Sequence, residues 1–113
     1  MKTWITLLLI ILCTFSSLTF AAVKGSSKTT VATLITYSQY GQGDVVFKLA
    51  APEESCPDGY WMKKADPGFE ANLSVLLSAY HAKSKVIARG HDDKVWAGSA
   101  GKYCLLYSIE LYL

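Results

Sequence analysis

The chain has 113 residues, with 11 Lys and Arg against 9 Asp and Glu, and 3 cysteines. That length suits one domain beyond any targeting segment. The near-balanced charge lacks the electrostatic footprint of a nucleic-acid binder, and no run of five like charges or polybasic stretch is present to hold a membrane surface.

Lys2 precedes an apolar run from Trp4 to Cys13, followed by a softer stretch in which Thr14, Ser16, Ser17 and Thr19 alternate with bulkier residues. Thr19-Phe20-Ala21 has the small-x-small form of a signal-peptidase site. Residues 1–21 therefore read as a secretory signal cut after Ala21. The alternative, a membrane anchor, is disfavoured because the run is at the short edge of a bilayer span. The mature chain, residues 22–113, is expected outside the cytoplasm, secreted or periplasmic.

Cys13 leaves with the signal, so the mature chain keeps Cys56 and Cys104. An even cysteine count in a small exported domain reads as a disulfide. It closes a loop of roughly 49 residues, for which chain entropy gives about 4 kcal/mol. A domain this small buries only roughly 60–65% of its unfolded surface, so such a staple carries a large share of its stability.

Residues 22–28 are small and polar and read as a flexible arm, with the folded domain over 29–113. Val31, Thr33, Ile35 and Tyr37 alternate with their neighbours in a β-branched stretch, a strand over about 29–39. Tyr40-Gly41-Gln42-Gly43-Asp44 is a turn, residues 45–49 a second strand, and the pair a hairpin. After the loop Pro52-Glu53-Glu54-Ser55 and the turn Pro57-Asp58-Gly59, residues 59–64 form a third strand with Tyr60 and Trp61 on opposite faces. Asp66-Pro67 has the form of an N-cap and first helical position. Phe69, Leu73, Leu76, Leu77 and Tyr80 then fall on one face of a helix over about 67–83. A fourth strand covers 84–89, and Gly90-His91-Asp92-Asp93 is a turn. Residues 94–96 are a strand end, and a last strand covers 102–113, with Tyr103, Leu105, Tyr107, Ile109 and Leu111 on one face.

Candidate chemistry is thin. His91-Asp92-Asp93 lacks the acid spacing of a calcium loop, and the single further histidine of the mature chain, His81, supplies too few ligands for zinc; the triplet reads as a solvated turn, and no metal or other cofactor is expected. Ser99 in Ala97-Gly98-Ser99-Ala100-Gly101 does not match the nucleophile elbow and precedes a strand where the elbow needs a helix. Glu53-Glu54 and Asp92-Asp93 are adjacent loop acids with nothing to split their acidities. Asn72-Leu73-Ser74 is a glycosylation sequon placed mid-helix. No catalytic residue is assigned. Tyrosine and tryptophan combine apolar area with a polar handle. Tyr40 at the hairpin tip and Trp96 beside a glycine loop are least required by a core, so these two are the ligand-binding candidates.

The class is mainly β with one helix. The order β-β-β-α-β-β, with the helix between the third and fourth of five strands, is that of the OB-fold, a Greek-key barrel. The segment Cys56-x-x-Gly59-x-Trp61, the helix FEANLSVLLSAYHAKS, the strand KVIARG and the stretch VWAGSAGKYCLLYSIEL resemble the small exported OB-fold B subunits of AB-type bacterial toxins, of the subtilase-cytotoxin and pertussis-like kind. The resemblance implies a non-catalytic subunit, homo-oligomeric and commonly pentameric, that binds cell-surface glycans. The residues leave open a periplasmic or secreted protein-interaction module, such as an inhibitor or an accessory subunit of an envelope complex.

Overall fold

A computed structural model describes residues 22–113; the expected signal segment lies outside the described residues. The elements are β1 (Val23–Gly25), β2 (Val31–Thr36), a short 3-10 turn (Tyr40–Gln42), β3 (Val45–Leu49), β4 (Gly59–Met62), α1 (Phe69–Ala82), β5 (Lys85–Val95) and β6 (Tyr103–Tyr112). The strands form one mixed sheet in the order β1-β5-β6-β4-β3-β2. Among the described residues only β4 and β6 pair parallel.

Mainly β with one helix is the architecture found. The expected five-stranded OB-fold-like Greek-key barrel is not: among the described residues the sheet has six strands and is not closed. The additional strand comes from the arm. Val23, Lys24 and Gly25 pair antiparallel with His91, Gly90 and Arg89, which polar composition alone does not reveal. The stretch between β1 and β2 is bonded on both sides. Thr29 exchanges backbone hydrogen bonds with Val86 at 3.0 and 2.7 Å, while Ala50 N donates to Thr30 O at 2.9 Å and Ala51 N to Thr29 Oγ1 at 3.1 Å.

The expected turn at Gly90-His91-Asp92-Asp93 is instead part of one eleven-residue strand, β5. Two register shifts, between Arg89 and Gly90 and between His91 and Val95, absorb the irregularity. Bulges of this kind bend a strand without ending it, and β1 pairing across Gly90 and His91 holds the bend in the sheet. The first shift leaves Tyr107 of β6 unopposed, because Arg89 faces Ser108 and Gly90 faces Leu106. This changes the phase of β6. Cys104 and Leu106 belong to the main core, with Ile109 packed against it, while Tyr107 is 59% exposed, so strict alternation along β6 fails at the bulge.

Helix α1 begins two residues later than its Asp66-Pro67 signal. Gly68 is the N-cap and makes no side-chain cap bond; Asp66 serves through its carbonyl, which accepts from Phe69 N at 3.1 Å. The helix buries Phe69, Leu76 and Ala79 and ends on Lys83 in the left-handed conformation, φ 54°.

Because β3 and β4 are covered on both faces, two clusters form. The main one stacks Phe47 on Tyr60, ring centroids 5.3 Å apart, beneath the helix and beside the Cys56–Cys104 disulfide. Burial, with the Glu53 carboxylate adding, pushes the Tyr60 hydroxyl up to about 12. The smaller cluster, on the opposite face, comprises Val46, Trp96 and Tyr103, with Tyr37 and Trp61 packed against it. Alternation places Val46 and Trp61 there and Phe47 and Tyr60 in the main core.

Candidate functional site

The smaller cluster ends at a shallow groove of about 400 Å³, whose walls include Tyr40, Asp44, Trp61, Lys63, Val95 and Trp96. Three segments meet there: the 3-10 turn brings Tyr40, β4 and the residue after it bring Trp61 and Lys63, and Val95 at the end of β5 and the following Trp96 complete it.

The hairpin tip is fixed by backbone bonds. Tyr37 N donates to Asp44 O at 3.0 Å, and both Gly43 N and Asp44 N donate to Tyr40 O at 3.0 Å. Gly41 is required at this tip. Its φ is 60°, and a Cβ there would lie 2.1–2.5 Å from the Asp44 carboxylate. The tip thereby lays its backbone against an acid that is 4% exposed.

Asp44 Oδ2 accepts the indole N–H of Trp96 at 2.9 Å. Trp61 spends its own indole N–H on the Lys94 carbonyl at 3.0 Å. Both tryptophans therefore offer the groove ring surface and no donor. Tyr40 meets Trp96 edge-to-face at 5.5 Å, and Tyr37 lies 5.4 Å from the same indole. Tyr103 closes the cluster from beneath at 5.6 Å.

The two sequence candidates, Tyr40 and Trp96, are thus neighbours in one site with different roles. Tyr40 is 45% exposed and forms the rim. Trp96, expected to be dispensable to a core, is 5% exposed and is the centre of the smaller one. Gly98 explains how the glycine loop contributes: it lies flat on the indole, where a Cβ would come within 2.1–2.4 Å of three ring atoms. Asp44, Trp61 and Lys63 were missed as site residues. Asp44 reads as one more turn acid, although its place directly before a fully apolar strand start was a signal for burial.

The other candidates hold local structure. Ser99 Oγ accepts from Gly101 N at 3.1 Å and caps the loop. Glu53 Oε2 accepts from Ser55 N at 2.7 Å. The ring of His91 meets Tyr107 edge-on at 5.5 Å on the sheet surface. Ser74 Oγ of the sequon donates to the Glu70 carbonyl at 3.0 Å within the helix. Among the described residues no group of three or more His, Cys, Asp or Glu is placed to hold a metal ion. No family model, characterised protein or solved structure matches the chain.

Proposed function

We propose that this chain is an exported, non-catalytic binding protein whose aromatic groove takes a glycan. The observation that supports this most is the composition of the groove: the ring surfaces of Tyr40 and Trp61 line it together with the edge of Trp96, the Asp44 that holds the Trp96 indole, and Lys63 at the wall. Sugars present C–H faces that stack on aromatic rings and hydroxyls that bond to fixed polar groups, and this site supplies both. Export is supported by the signal-like first 21 residues and by the disulfide, which suits an oxidising compartment.

The same reading takes the fold as OB-like and the chain as similar to toxin B subunits. Its support is topological. The helix lies between β4 and β5 in the chain, β4 runs parallel to β6, and residues 26–30 bond to β5 on one side and to Ala50 and Ala51, just beyond β3, on the other. A ring of identical subunits, commonly five in that group, belongs to the proposal. The test is a glycan array together with light scattering on residues 22–113. Glycan binding that falls at least tenfold in Tyr40→Ala, at unchanged melting temperature, supports the reading; a monomer that binds no glycan removes it.

A second reading is a protein-interaction module. It is favoured by β2, whose residues Val31–Thr36 carry no charge and have strand β3 on one side only; such an edge is a template for another chain. Co-purification with a single protein partner, and no glycan signal, selects this reading.

A further inference from the structure

We infer that the groove selects neutral, hydroxyl-rich sugars over sugars bearing a carboxylate, with Asp44 as the fixed acceptor that decides it. This rests on the glycan-binding reading above and specifies its ligand. One oxygen of Asp44 is committed to Trp96. Among the described residues no protein donor to the other is found, it is not a fully buried atom left without a partner, and Asp44 is part of the groove lining. A carboxylate oxygen accepts and does not donate, so the ligand must bring the proton. Vicinal hydroxyls do so; a second carboxylate does not.

The opposing charge is Lys63, and burial decides between the two. Lys63 is exposed, so its field is screened by water and salt. Asp44 is 4% exposed and held from above by the Gly41 backbone and from the side by an indole. It cannot swing away from an approaching anion, and its field acts in a low-dielectric setting. The ring faces, with their donors already spent inside the protein, then give apolar surface to the sugar's C–H face.

The experiment titrates residues 22–113 with two forms of one oligosaccharide: neutral, and with a terminal carboxylate. Trp61 and Trp96 fluorescence reports on the groove directly, and calorimetry gives the affinities. The neutral form is expected to bind at least tenfold tighter. Asp44→Asn keeps an oxygen acceptor for the Trp96 indole; it is expected to weaken the neutral ligand about tenfold and to narrow the discrimination against the carboxylate. Equal or tighter binding of the carboxylated form overturns the inference and leaves the glycan reading standing. So does unchanged discrimination in folded Asp44→Asn. Failure of both forms to bind removes both readings.

Discussion

Gly98 shows how one residue without a side chain shapes the candidate site. The indole of Trp96 occupies the space a Cβ would need, so Gly98→Ala must displace either the loop or the ring. Overpacking of this kind costs about 1–3 kcal/mol. The variant is expected to unfold at lower denaturant concentration and to show a red-shifted tryptophan emission, because a displaced Trp96 loses its bond to Asp44 and meets water; an unchanged emission maximum would remove that account. Tyr60 carries a second residue-scale prediction. Its hydroxyl titrates at about 12 in the fold against 10.0 for the free side chain. Below pH 10 both states are neutral and the difference has no effect. Between pH 10 and 12 the unfolded chain ionises while the folded one resists, so stability falls as pH rises, by roughly 2 kcal/mol at the upper end. Tyr60→Phe is expected to flatten this part of the pH–stability curve, read by denaturant unfolding at pH 9, 10.5 and 12.

At the scale of elements, the strands differ in how they tolerate their neighbours. β3 is buried along nearly its whole length and lies inside the sheet, between β4 and β2. β2 is its opposite, an end strand in which Ala32, Thr33, Ile35 and Thr36 are exposed. Its Tyr37 end is bonded to the hairpin partner through Tyr37 N and Asp44 O, and the ladder alternates, so every second amide beyond it points away from β3. An uncharged edge with outward amides favours pairing between chains. Ile35→Lys is expected to change monomer stability by no more than about 0.5 kcal/mol, as surface substitutions do. It is also expected to shift the mass measured by light scattering toward the monomer, in line with the proposed oligomer; an unchanged mass places the subunit contact elsewhere. β5 and β6 illustrate a different point. Gly90 is the residue at the bulge, and a Cβ there would come within 2.9 Å of both Cys104 Cβ and the Tyr60 ring. The glycine that reads as a turn is needed because a strand passes close over the core.

For the molecule as a whole, the disulfide ties the loop before β4 to β6 across a sequence separation of 48. It lies next to the parallel β4–β6 pair, where Gly59, Tyr60 and Trp61 oppose Tyr103, Cys104 and Leu105. That pairing joins the two halves of the sheet, and no short turn closes it, since α1 and β5 intervene in the chain. Removing the bridge is expected to cost about 4 kcal/mol by the loop-entropy argument, against a net stability of about 5–15 kcal/mol for a domain. Cys56→Ala with Cys104→Ala should therefore lower the melting temperature sharply, and reduction of the native protein should do the same. A reduced protein that melts with the oxidised one would show that packing alone holds β4 to β6.

The sequence by itself determined what depends on local pattern and on counting. Period-two alternation marked β2 and β6, turn residues bounded β3 and β4, period 3.6 marked α1, and the two cysteines outside the expected signal allowed a single pairing. It also brought forward Tyr40 and Trp96, which prove to be neighbours. Tertiary structure decided everything that depends on a partner distant in the chain. Val23–Gly25 is a strand only because β5 lies beside it. Gly90 and His91 continue β5 because β1 and β6 pair with them on either side, and the strand resumes its pairing at Val95. Asp44 joins the candidate site because Trp96, 52 positions later, closes over it. A backbone amide or a carboxylate takes its role from whatever satisfies it once water is excluded, and that partner is chosen by the packing of the whole domain.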